Sequence, residues 1–124
     1  VSKKANYQKL ALRTDLDDAG YAESLRKLKP PHLRLMHAAL GVSGEAGEVA
    51  DIVKKHVMYS KTLDLVHLKE EIGDVLWYMA VLLDELGSDF EEVMEMNISK
   101  LKRRFPEGFT EELAKERKDK KGDK

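Results

Sequence analysis

The 124-residue chain contains no cysteine, which removes disulfides, thiolate zinc sites, iron–sulfur ligation and a Cys nucleophile at once. It also has no stretch of about 18 uncharged apolar residues, so nothing in it is expected to span a bilayer. Residues 1–10 are mostly polar and show no charged-then-apolar leader pattern, and the expected address is cytoplasmic. There are only 3 prolines, and alternating β-branched runs bounded by Asn-Gly turns are missing, so β-sheet is not expected. Net charge is only −1, which argues against a uniformly basic nucleic-acid binder. At this length, with 42% hydrophobic and 36% charged residues, a single globular domain is expected.

That small net charge hides a segregation along the chain. Residues 45–96 hold 13 acids against 4 bases, a net of −9. Residues 97–104 then carry Lys100, Lys102, Arg103 and Arg104 with no acid. An acidic block followed by a basic one suits a site that holds cations and a polyanion together.

Periodicity near 3.6 dominates and predicts an all-α helical bundle of three long helices with short flanking helices. A short helix is expected over Ala5–Arg13, followed by a turn-rich segment from Thr14 to Gly20. Pro30-Pro31 opens a long helix from about His32 to His56, and Tyr59–Leu63 connects it to a second from about Asp64 to Leu86, closed by Gly87 at a C′ position. Ser88 with Glu91 reads as a capping box for a third helix through about Arg104, which Pro106 and Gly108 end. Thr110 is placed to cap one more short helix. Residues 1–110 are read as one domain and 111–124 as a charged tail, frayed or disordered.

In the second long helix Leu68, Ile72, Val75, Leu76, Met79, Leu82, Leu83 and Leu86 form one apolar face. Trp77 lies about 160° around the wheel from that face. A helix apolar nearly all round needs neighbours on both sides, so a homo-oligomer, dimer or tetramer, is expected to complete the bundle. The alternative is that the N-terminal helix covers Trp77.

Two short patterns carry chemistry: Glu45-x-x-Glu48 and Glu71-x-x-Asp74. Positions i and i+3 are neighbours on a helix, so each pair sets two carboxylates side by side, at a cost unless something neutralises them. Four carboxylates from two antiparallel helices make a hard-oxygen site suited to Mg2+, with Mn2+ able to substitute. Gly41, Gly44, Gly47 and Gly73 lie inside these helices at roughly 1 kcal/mol each relative to Ala, offset only if a backbone or ligand approaches closely.

The order Leu40-Gly41-x-x-Gly44-Glu45-Ala46-Gly47-Glu48, Lys54-Lys55, Glu70-Glu71-Ile72-Gly73-Asp74-Val75-Leu76-Trp77-Tyr78 and Asn97-x-x-Lys100-Leu101-x-x-Arg104-Phe105-Pro106-x-Gly108-Phe109 resembles the MazG-like nucleoside triphosphate pyrophosphohydrolases. The resemblance covers about residues 33–109. It implies an all-α fold assembled as a dimer or dimer of dimers, and hydrolysis of a nucleoside triphosphate to monophosphate and pyrophosphate. By position, Glu45, Glu48, Glu71 and Asp74 would be the magnesium ligands, and Asn97, Lys100 and Arg104 would contact phosphates or sugar. One of Glu45 and Glu48 would also orient or deprotonate the attacking water.

Other residues carry two readings. His37 lies eleven residues before Glu48, on the same side of the helix, where it can face a nucleotide or serve as a structural histidine. Lys54 and Lys55 can hold phosphate or simply complement a helix C-terminus. Tyr78 and Trp77 can line a base pocket or, for Trp77, an oligomer core. His32, His56 and His67 read as ordinary helix-end or surface residues. The rival to an enzyme is a helical nucleic-acid- or partner-binding module built on Lys100–Arg104, which the −9 block disfavours. A ferritin-like di-iron bundle needs Glu-x-x-His, and neither Glu48 nor Glu71 has His at i+3. A metal-free dimer, its carboxylates a solvated face, is the remaining alternative.

Overall fold

The computed structural model describes residues 3–121, all of whose regular structure is helical. Among the described residues no helix is long and apolar enough to cross a membrane. The chain forms two compact units, Val1–Leu33 and Arg34–Lys124.

In the first unit, α1 (Lys3–Ala11) runs into a 3-10 turn, Leu12–Thr14, and α2 spans Asp18–Lys27. Asp17 caps α2 by accepting a hydrogen bond from the Gly20 N–H at 2.8 Å. That bond explains why the segment expected to be turn-rich up to Gly20 is already helical from Asp18: the carboxylate satisfies an amide that the first turn leaves open.

The second unit is built on α3 (Pro30–Tyr59) and α4 (Leu65–Glu85), the two long helices expected from periodicity, each within a few residues of its predicted ends. They run antiparallel. Arg34 near the start of α3 pairs with Asp84 (2.7 Å) and Glu85 (3.0 Å) at the end of α4, and Gly41 meets Tyr78 farther along. Leu35, Ala38, Gly41, Val42, Glu45, Val49, Asp51 and Ile52 are the more buried positions of α3, and Leu68, Glu71, Val75, Tyr78, Val81, Leu82, Leu83 and Glu85 those of α4. Within them Leu35, Ala38, Val42, Glu45, Val49 and Ile52, and Leu68, Glu71, Val75, Tyr78 and Leu82, alternate steps of three and four, the seam spacing of paired helices. Glu45 and Glu71 thus occupy seam positions that would otherwise carry apolar side chains.

The seam uses only part of the apolar face of α4. Leu68, Val75, Leu82 and Leu83 are half-buried, whereas Ile72, Leu76 and Leu86 stay exposed, and Trp77 is 58% exposed. Ala38 is the one buried apolar residue among the described residues.

Helix α4 ends in a Schellman arrangement. Gly87, at φ 67°, donates to the Asp84 carbonyl at 3.1 Å, and Ser88 N–H donates to the Leu83 carbonyl at 2.9 Å. This corrects the expected capping box. Ser88 is tied to the end of α4, and the cap of α5 (Phe90–Arg104) is Asp89, whose carboxylate accepts from Glu92 N–H at 2.8 Å. The Ser88 hydroxyl donates to the Glu92 carboxylate instead.

Thr110 caps α6 (Glu111–Glu116), as its spacing predicts. Beyond it Arg117 turns at φ 51° and α7 spans Lys118–Lys121. The expectation for residues 122–124 lies outside the described residues. An Arg117–Asp119 ion pair at 3.2 Å, with the Asp119 side chain 2% exposed, anchors this turn.

Candidate metal centre

Glu45 projects from α3 into the seam and Glu71 from α4, with Asp74 one turn further along α4. Each offers a carboxylate oxygen within 4.8 Å of the others, the one such cluster among the described residues. Glu45 and Glu71 are half-buried and Asp74 is exposed, so the cluster is supported on the seam side and open on the other. A cavity of about 370 Å³ lined by Glu45, Asp74, Trp77 and Tyr78 lies against it.

Three carboxylates this close repel. The Glu71 carboxylate, in hydrogen-bonding reach, raises the Glu45 pKa above its ordinary 4.5, and desolvation together with the charges of Glu71, Asp74 and Glu48 push it the same way. The cluster stabilises a proton on Glu45 where nothing else supplies positive charge, and a hard divalent cation meets the same need with an all-oxygen donor set.

Glu48, the fourth expected ligand, is not in the three-carboxylate cluster. It lines a neighbouring cavity of about 220 Å³ with Asp51, Lys55, Lys61 and His67. Lys54 and Lys55 both pair with Asp51, at 3.3 and 2.6 Å. Hydrogen bonds from Lys55 and then Lys54 hold the Asp51 carboxyl below its usual range, and Asp51 in turn raises Lys55. The helix-end reading of these lysines did not foresee Asp51 as their partner, although the i, i+3 and i, i+4 spacing is visible in the sequence.

His37 is exposed and meets the Tyr78 ring edge-on at 5.9 Å, while Trp77 meets the same ring at 5.0 Å. Asn97 and Lys100 come together on α5, lining a cavity of about 430 Å³ with Arg103, Asp119 and Lys120. No carboxylate of the cluster lines it. Arg104 points elsewhere: its guanidinium donates to the Ala114 carbonyl at 3.3 Å and lies over the Phe105 ring at 5.0 Å, and its Nε is buried without a hydrogen-bond partner. In this structure, then, the C-terminal segment occupies the arginine that the family resemblance assigns to substrate.

His67 reads in the sequence as an ordinary helix-end or surface residue, and the structure sets it against the cluster. Its Nε2 lies 3.0 Å from Glu71 Oε1. The i, i+4 spacing to Glu71 was the available signal.

Comparison with known proteins is consistent with this arrangement. The MazG nucleotide pyrophosphohydrolase domain matches residues 34–109, a segment that contains the cluster, both lysines and the Asn97–Arg104 run. The chain is 36% identical over 80 residues to the Gene 37 protein of Mycobacterium phage L5, an overlap of 60% of this chain and 68% of that protein. No solved structure matches it significantly. With more than half of its residues matched, and with the matched segment carrying the seam carboxylates, the chain belongs to the MazG nucleotide pyrophosphohydrolase family.

Proposed function

We propose that this protein hydrolyses a nucleoside or deoxynucleoside triphosphate to the monophosphate and pyrophosphate, in control of the cytoplasmic nucleotide pool, at the Glu45–Glu71–Asp74 cluster. The observation that carries the reading is the convergence of these three carboxylates, within 4.8 Å, from two helices of a MazG domain.

Glu45, Glu71 and Asp74 would hold Mg2+, or Mn2+ in its place. When bound, such an ion polarises phosphoryl oxygens and lowers the pKa of water. One carboxylate of the Glu45 and Glu48 pair orients or deprotonates the water, Glu48 reaching it from the adjoining cavity. Tyr78 walls the cavity on the cluster, with His37 edge-on to its ring, and offers aromatic surface to a base or sugar.

Asn97 and Lys100 bind phosphate from α5, with a point charge that suits a polyphosphate, and Lys55 contributes from α3. Arg104 joins them only by leaving the Ala114 carbonyl. The exposed Ile72 and Leu76 on one side of α4 and Trp77 on the other pack against further copies of the chain, giving a dimer or tetramer.

Glu45→Gln and Asp74→Asn test the reading. Each is expected to keep the helical circular dichroism of the native chain while losing nearly all Mg2+-dependent pyrophosphate release; undiminished turnover in both would refute it.

A further inference from the structure

His67 is fixed at both ends. The Asp64 carboxylate that caps α4 accepts from the His67 backbone N–H at 3.0 Å, which sets the residue in the first turn. Its ring then reaches one turn forward, where Nε2 lies 3.0 Å from Glu71 Oε1. A carboxylate only accepts, so the imidazole N–H donates. The Glu71 side chain is 15% exposed and faces two other carboxylates, while the His67 ring is half exposed beside the cavity that holds Glu48. Glu71 needs a donor to keep its orientation against that repulsion, and His67 is the donor the structure gives it.

We propose that His67 is a positioning residue for Glu71: it occupies one lone pair of Oε1 and so aims the rest of the carboxylate at the cation held by Glu45, Glu71 and Asp74. The inference rests on reading that cluster as a metal centre. Ligand carboxylates are commonly oriented by such outer hydrogen bonds, and losing one lowers metal affinity by roughly 10–100-fold. The role needs only the Nε2–H, which an amide can imitate.

The test is Mn2+ binding to the full chain, followed by electron paramagnetic resonance, for the native protein, His67→Leu and His67→Gln. Native protein is expected to bind Mn2+ with no directly coordinated nitrogen. His67→Leu should weaken binding by about tenfold with unchanged circular dichroism. His67→Gln should recover part of that loss, which a purely steric role would not produce. Equal Mn2+ affinity in native and His67→Leu protein would overturn the proposal and leave the metal centre standing. A nitrogen coupling that disappears in His67→Leu would overturn it too, by making His67 a ligand. Failure of the native chain to bind Mn2+ would remove the metal centre itself, and the proposal with it.

Discussion

Gly41 and Gly44 lie three residues apart on α3, yet a methyl group added to each should act in opposite directions. At Gly41 an added Cβ would stand 2.2 Å from Tyr78 Cε1, 2.3 Å from Cδ1 and 2.5 Å from Cζ. Carbon atoms pack at about 3.5–4.0 Å, so the ring must retreat by more than about 1 Å. It is hemmed in by edge contacts to His37 and Trp77. Overpacking of this kind costs about 1–3 kcal/mol, against a gain of about 1 kcal/mol from replacing a mid-helix glycine, for a net loss of up to about 2 kcal/mol. A Cβ added at Gly44 would meet nothing within 4 Å outside its own stretch of helix backbone, so Gly44→Ala should gain about 1 kcal/mol outright. Urea unfolding of the two variants, each compared with the native chain, measures the contrast. With a slope of about 1–3 kcal/mol per molar, the midpoints should differ by on the order of 1 M, Gly41→Ala being the lower. Because Tyr78 also walls the cavity on the cluster, Gly41→Ala should weaken nucleotide binding as well. A Gly41→Ala midpoint equal to or above that of Gly44→Ala would refute the close approach of the two helices.

Other consequences follow from the same geometry. The raised Glu45 pKa means that the folded chain prefers this carboxyl protonated; the stability it adds is full below about pH 4.5 and is lost as pH rises through the raised folded value. Melting temperature across that window, native against Glu45→Gln, should show this loss only in the native chain without metal, and Mg2+ should suppress it by taking the proton's place. Asp51 works with the opposite sign: held low by Lys55 and Lys54, it adds stability above its ordinary 3.8 that disappears as pH falls, and Asp51→Asn should flatten that acid limb. Asp89→Ala, which removes the cap of α5, should cost about 1 kcal/mol in chemical unfolding, whereas Ser88→Ala should cost less. Trp77→Glu should turn an oligomer into a monomer in sedimentation velocity, since a charge would replace the exposed indole on a face assigned to a further copy.

The long helices were legible because a 3.6-residue apolar period sustained over twenty or more residues has one structural solution. The pairing of Glu45 with Glu71 and Asp74 was legible because two acidic i, i+3 pairs lie on successive helices. What escaped the sequence was decided by partners rather than pattern. The apolar face of α4 is wider than the seam, so the pattern alone does not say which part of it α3 covers, and Glu71 occupies the seam itself. Asp89 rather than Ser88 caps α5 because the Schellman closure at Gly87 already uses the Ser88 amide. Asp119 holds Arg117 in a segment with no apolar stripe, and Arg104 turns to Ala114, contacts that no periodicity announces. His67 looked like any helix-end histidine until its ring was seen against Glu71.

The most direct measurement of the central claim is phosphorus NMR of a panel of nucleoside and deoxynucleoside triphosphates incubated with the full chain, with Mg2+ and with excess chelator. Monophosphate and pyrophosphate should appear from at least one nucleotide, with Mg2+ only. Diphosphate with inorganic phosphate, or pyrophosphate release that persists in chelator, would contradict the assignment of the Glu45–Glu71–Asp74 cluster as the metal centre of a pyrophosphohydrolase.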